Sequence, residues 1–392
     1  MKEIESILEG VARTVWQKLE TAARLNYSLL GGNFGEILFL YYYSRVNSHY
    51  LSIAEQLTDR LLADMKCIKT IASYCNGLTG LAIGLNELQR DGFMQGVDDA
   101  LGEFDDIILE QQQDDFLANR HDFLHGFIGL GFYWLMRYRS SGVGMKALKE
   151  IVDYLAASCE VVGDALRWRL PEGKRDKRYN ISLSHGISST IILLSRLSRM
   201  SSLPKQMRFE IERLTTGAVN YLNGNRQDPE RHGSCFPMTS ADCSGPSKSR
   251  LAWCYGDLGI ALALLQYKFP HKNGLDIFEY SATHRRSLIE NSVYDACICH
   301  GTAGVGAFFD YLAHNYPSPI FIEAADYWKN QTLKKAEYVN GNVRFPHMSG
   351  LDGKFEEGHG ILVGTAGVGL YLLDSIGIKT PLNRFLLLEP YE

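Results

Sequence analysis

Two kinds of apolar segment alternate along the chain. The first is hydrophobic nearly all round for about three helical turns, the signature of a helix buried on every side. It opens each time on a short glycine pattern and occurs seven times, from Gly32 (GNFGEILFLYYY), Gly77 (GLTGLAIGLNEL), Gly126 (GFIGLGFYWLMR), Gly186 (GISSTIILLSRL), Gly256 (GDLGIALALLQY), Gly301 (GTAGVGAFFDYL) and Gly364 (GTAGVGLYLLDS). Six copies keep a second glycine three residues on, and the fourth has Ser189 there. The second kind is amphipathic. Ile4, Ile7, Leu8, Val11, Val15 and Leu19 recur every three or four residues beneath a polar face with Glu5, Arg13 and Lys18, which predicts a helix covering an inner one.

This repetition predicts an all-α chain, an (α/α) toroid or barrel of about seven inner and seven outer helices. Paired glycines at each inner helix start permit a tight turn and close backbone approach, and most are read as structural only. Loops of common design at the start of every inner helix are expected at one end of a closed ring, where a site is assembled from distant parts of the sequence. The glycines recur at 45 residues from Gly32 to Gly77 and again from Gly256 to Gly301, but at 70 from Gly186 to Gly256. That interval holds an insertion. Its part from about 223 to 248 is rich in Gly, Pro, Ser, Asp and Asn and is read as a long ordered loop beside the site. No linker or low-complexity tract divides the chain, so residues 1–392 are expected to form a single domain.

Composition narrows the function. Charged residues at 22%, hydrophobic residues at 45% and a net charge of -5 are ordinary for a water-soluble protein and give nucleic acid nothing to bind. The amino terminus lacks the apolar core of a signal peptide and no apolar run reaches membrane-spanning length. The expected location is the cytoplasm. Eight cysteines are too sparse in 392 residues for a disulfide framework, and most are expected to be buried thiols.

Two repeat loops carry metal-ligand residue types. Trp253, Cys254 and Tyr255 precede Gly256, and Cys299 and His300 precede Gly301, 45 residues later. Neighbouring loops on one rim are expected to bring Cys254, Cys299 and His300 together, with Cys297 a nearby decoy. Two thiolates and an imidazole suit zinc, and three protein ligands leave a tetrahedral position for substrate, the arrangement of a catalytic site. No C-x-x-C pair occurs to supply a structural centre.

With seven glycine-bearing repeats, a W-C-Y-G motif and a C-H-G motif, the chain resembles the lanthionine synthetase C proteins over essentially its whole length. The resemblance implies one zinc per chain on Cys254, Cys299 and His300, in a double ring of helices. Ser184-His185-Gly186 is similar to the family's catalytic histidine motif and Asp122 with Gly126 to its D-x-x-x-G aspartate; Arg250 and Tyr255 also match family positions. The implied reaction is intramolecular Michael addition of cysteine thiols to dehydroalanine or dehydrobutyrine in a lantibiotic precursor peptide, closing (methyl)lanthionine rings. In this reading His185 supplies the proton to the enolate, Asp122 orients it, and Arg250 or Tyr255 stabilises the developing charge.

Each residue also has a bland reading: His185 as a cap or packing group, Asp122 as an N-cap, Arg250 as a surface charge. His125 and His359 precede glycines too, so a histidine there is partly a property of the repeat. The run Lys174, Arg175, Asp176, Lys177, Arg178 is read as a solvated loop, with contact to an acidic leader peptide as the alternative. Rival functions are a thiol- or glutathione-binding regulator of the same family and a protein prenyltransferase, whose zinc set includes an aspartate. The length leaves no room for a dehydratase region. The chain is therefore expected to act as a stand-alone cyclase, with a separate dehydratase and an exporter as partners in a complex that brings it to the membrane surface.

Overall fold

The computed structural model describes residues 2–65, 71–170, 179–240, 245–267, 274–350 and 353–389. The basic run at 174–178 and Cys67 and Cys243 lie outside these. In chain order the helices begin with α1 (Lys2–Thr21), α2 (Asn33–Tyr43), α3 (His49–Met65), α4 (Leu78–Arg90), α5 (Val97–Leu117), α6 (Phe127–Ser141) and α7 (Met145–Ser158). A hairpin of β1 (Glu160–Val162) and β2 (Ala165–Arg167) follows. Next come α8 (Ile187–Ser198), α9 (Lys205–Gly224), α10 (Pro229–His232), α11 (Asp257–Gln266), α12 (Leu275–His284), α13 (Thr302–Asn315) and α14 (Pro319–Leu333). Two more hairpins, β3 (Glu337–Val339) with β4 (Asn342–Arg344) and β5 (His347–Ser349) with β6 (Lys354–Glu356), precede α15 (Thr365–Ser375) and α16 (Leu382–Phe385).

Every one of the seven repeat glycines is the N-cap of a helix: α2, α4, α6, α8, α11, α13 and α15. These are the helices without a polar face. All eleven residues of α2 and all ten of α11 are buried, including Glu36 and Asp257. Glycine offers no side chain to cap the free N–H groups of a helix start, and the loop does so instead. The first helical N–H donates to the carbonyl seven residues back, from Leu78 to Ile71 (2.8 Å), Phe127 to Arg120, Ile187 to Asn180 and Thr302 to Asp295 (each 3.0 Å). The loop is thus folded tightly against its helix. At Gly304 a Cβ would collide with the Ile298 carbonyl, which is why the second glycine recurs. Ser189, standing there in the fourth copy, is fully buried and donates its hydroxyl to the Gly186 carbonyl (3.0 Å).

The intervening helices are amphipathic. α1 buries Ile4, Ile7, Leu8, Val11, Val15 and Leu19, the stripe expected from its spacing. The chain forms two compact units, residues 1–104 with 288–389 and residues 105–287. Within the first, α15 packs on α1, α2 and α13, α4 packs on α2, and α14 covers α13. Within the second, α8 packs on α6 and α11, while α7, α9 and α12 cover α6, α8 and α11. No described helix is long and apolar enough to cross a membrane.

Candidate active site

In several of the loops before the inner helices the residue two places before the glycine has the same task. In the second unit this is Ser184, whose N–H (3.3 Å) and hydroxyl (3.0 Å) both donate to the Cys254 carbonyl, the same position one repeat later. In the first unit the Cys299 N–H donates to Leu362 (2.8 Å), the Leu362 N–H to Leu30 (3.0 Å) and the Leu30 N–H to Cys75 (3.2 Å), again position to position. Adjacent loops are therefore laced together through this residue. It is the position that Cys254 and Cys299 occupy, so both thiols sit on backbone held at the loop-to-loop seam.

In the second unit the structure gathers His185, Asp122, Tyr255 and the Cys254 loop. Asp122 Oδ1 accepts a hydrogen bond from the His125 N–H (2.6 Å) and lies 3.6 Å from His185 Nδ1. Burial alone raises the Asp122 pKa, but the His185 imidazole and the His125 N–H outweigh it and leave the carboxyl below its ordinary value. The His185 ring is flanked by two others, a stacked His125 at 5.9 Å and a tilted Tyr255 at 6.1 Å between centroids. The Tyr255 hydroxyl accepts from the Asn180 amide (3.3 Å), and burial pushes its pKa up. His185 is placed by its own N–H, which donates to Ser182 Oγ (3.3 Å).

Cys254 is buried, and its loop is shaped by Gly256, the repeat-start glycine with φ of +89°. A Cβ at Gly256 would also collide with the Arg250 carbonyl. The Arg250 Nε is buried in the same loop. The next residue, Asp257, is fully buried and accepts from the N–H groups of Cys235 (3.0 Å) and Phe236 (2.9 Å) and from Arg285 Nη1 (2.8 Å). Arg285 Nη2 in turn donates to the Ser249 carbonyl (2.5 Å). Gln227 adds bonds to Ser234 and Ser247. Buried polar side chains therefore order the described part of the 223–248 segment on the loop that carries Cys254. Asp257, Arg285 and Gln227 are missed by a reading of motifs; an acidic residue directly after the W-C-Y-G glycine was the available signal.

In the first unit the loop before α13 carries Asp295, Cys297, Cys299 and His300. Asp295 Oδ1 accepts from the Cys297 N–H and Oδ2 from the Met348 N–H (each 2.9 Å), with His300 Nε2 3.4 Å from Oδ2. Burial works to raise Asp295, yet His300, the Met348 N–H and the Cys297 side chain hold it well below the usual carboxylate range. Cys299 and His300 are partly exposed, whereas Cys297 is buried. Burial pushes the Cys297 thiol up to about 11, and its sulfur accepts the His300 N–H (3.5 Å). Asp295, Cys297 and His300 offer ligand atoms within 4.8 Å of one another, but Cys297 is buried under the loop and its sulfur is taken up by the His300 N–H. Cys299 and His300 are the partly exposed ligand-type residues of this loop.

The model of the family described as lanthionine synthetase C-like protein matches residues 23–388. A solved structure described as nisin cyclase is similar over 99% of this chain and 98% of its own, with a TM-score of 0.74 at 16% identity. That likeness shows the fold, an α/α toroid. A comparison with curated proteins finds no match.

Proposed function

Because the chain belongs to the lanthionine synthetase C-like family, we propose that it is a zinc-dependent cyclase that adds cysteine thiols to dehydrated serine and threonine residues of a precursor peptide. The observation that carries this is the geometry around His185: an imidazole 3.6 Å from Asp122, flanked by Tyr255, on a loop bonded through Ser184 to the carbonyl of Cys254. A proton carrier thus stands next to a loop bearing a metal-type thiol.

In this reading Cys254, Cys299 and His300 hold the ion. Two soft thiolates and an imidazole are the donor types zinc prefers, and Cys254 and Cys299 occupy the same place in their loops, two residues before the repeat glycine. Zinc held by three protein ligands supplies, when bound, ionisation of an incoming peptide thiol at neutral pH. Addition of that sulfur to the β-carbon forms the C–S bond and moves the π electrons to the carbonyl as an enolate. The α-carbon then needs a proton. His185 delivers it from Nε2, since Nδ1 faces Asp122, and the proton given up by the thiol balances it. Asp122 fixes the orientation of the ring. Tyr255 and Arg250 stabilise the enolate oxygen.

The substrate chemistry requires a dehydratase upstream, because serine and threonine must lose water before a thiol adds. An exporter downstream, and association at the cytoplasmic membrane surface through a shared complex, belong to the same proposal. The test uses a dehydrated precursor peptide, with unreacted cysteines alkylated and counted by mass, and zinc measured by elemental analysis. His185→Ala is expected to keep about one zinc per chain and to close rings about 10² to 10⁴ times more slowly, while Cys299→Ala loses the metal. Near-normal cyclisation by His185→Ala removes that residue from the mechanism, and wild-type protein without zinc overturns the metal assignment.

A further inference from the structure

We propose that Asp295 is a positioning residue that locks the imidazole of His300 through Nε2, so that His300 presents Nδ1 to the metal. The inference rests on the zinc reading above. A ligating histidine commonly donates its second ring N–H to a carboxylate, which fixes the tautomer and raises the basicity of the coordinating nitrogen. Asp295 is built for that task. Its side chain is fully buried, with Oδ2 3.4 Å from His300 Nε2. Three further bonds hold the residue: Cys297 N–H to Oδ1, Met348 N–H to Oδ2, and Thr302 N–H to its carbonyl (3.0 Å). The glycine of C-H-G serves the same arrangement, because a Cβ on Gly301 would collide with Asp295 Oδ1.

The sister loops separate positioning from mere loop turning. Six places before the repeat glycine stand Asn26, Asn180 and Asp295, and in each case the side-chain Oδ1 accepts the N–H two residues on, from Ser28 (2.8 Å), Ser182 (2.8 Å) and Cys297 (2.9 Å). Asparagine is sufficient for the turn. Only the loop with a histidine ligand has the charged carboxylate, and only there does a second oxygen face an imidazole. The charge therefore serves the ring and not the turn.

Asp295→Asn divides the two roles, since it keeps the turn-forming oxygen and removes the charge that faces His300. Zinc affinity is measured by competition with a chromogenic chelator, and thermal melting of the metal-free proteins reports the loop. The expected result is a metal-free melt that stays cooperative and falls only by the loss of the Met348 bond, with zinc bound about 10- to 100-fold more weakly. Unchanged zinc affinity in Asp295→Asn overturns the proposal and leaves Asp295 a turn residue. Should Asn at 295 unfold the metal-free protein, ¹⁵N-histidine spectra of the wild-type zinc form decide: metal on Nδ1 with a proton on Nε2 is expected, and metal on Nε2 overturns the proposal. Wild-type protein that binds no zinc, or Cys299→Ala that binds it fully, defeats the underlying metal reading instead and takes this inference with it.

Discussion

At the scale of single residues, two carboxylates stand in parallel: Asp122 lies 3.6 Å from His185 and Asp295 3.4 Å from His300. Asp122 was singled out by its resemblance to the family's D-x-x-x-G aspartate. Asp295 was not, because a lone acidic residue six places before a glycine carries no signal until the loops are superposed and its equivalents prove to be Asn26 and Asn180. Asp122→Asn is expected to slow ring closure less than His185→Ala does, since the imidazole remains while its orientation is lost. The same substitution has a pH signature. A carboxyl whose folded pKa lies below its unfolded value, about 3.9, adds stability that is fully present above that value and is lost as pH falls through the folded pKa. Burial opposes this shift and the His185 and His125 contacts produce it. Acid titration of unfolding free energy should therefore show a shallower fall below about pH 4 in Asp122→Asn than in wild type; equal slopes would mean that Asp122 is not stabilised by those contacts.

At the scale of elements, the inner helices were legible because burial on every side removes the polar face, and the glycines marked where each begins. The three hairpins escaped notice. Their strands are three residues long, and β3 and β6 are exposed throughout, so the single buried residues of β2 and β4 make too short an alternation to be read. The turns were the better signal: Asn340-Gly341 joins β3 to β4 with both residues at positive φ (50° and 80°), the pair that a two-residue hairpin turn demands. Glycine and serine within the repeat are each fitted to their own place, so exchanging either is expected to destabilise, for different reasons. Gly256→Ala places a side chain at φ +89° against the Arg250 carbonyl, and strain of that kind costs more than the ~1 kcal/mol by which a compatible Gly→Ala change stabilises. Ser189→Gly, which restores the pattern of the other six copies, should instead cost about 0.5–1 kcal/mol, because the serine already fits and bonds Gly186. Urea denaturation of both variants checks the contrast. A Gly256→Ala protein as stable as wild type would mean that the tight loop is not needed to hold Cys254.

At the scale of the whole chain, the repeat pattern distinguishes this fold from an open solenoid, in which each repeat touches only its neighbours in sequence and the loss of a terminal repeat merely frays the end. Here the first unit draws on both ends of the sequence. α15, from the seventh copy, packs on α1 and on α2 of the first copy, and the Ile361 and Leu362 N–H groups both donate to the Leu30 carbonyl (2.9 and 3.0 Å). Gly10 and Thr14 on α1 also meet Val343 on β4, the former so closely that a Cβ would strike it. Removing residues 364–392 therefore strips apolar cover from α1 and α2 and exposes Phe39, which packs against Gly369. Apolar area taken from water stabilises at ~25 cal/mol per Å² and a domain is usually stable by only about 5–15 kcal/mol, so the loss of an inner helix's apolar cover weighs heavily against that margin. The truncated chain is expected to lose the cooperative unfolding of the first unit, not one repeat of it. Trp16, on α1 far from the cut in sequence, is the reporter: its edge-on contacts with His49 and Tyr50 (6.1 and 6.3 Å between centroids) should be lost with the helix. Hydrogen exchange across residues 2–43 of the truncated protein measures the effect directly. Native-like protection of α1 and α2 would show that the two ends of the chain do not depend on one another and that the repeats behave as an open array.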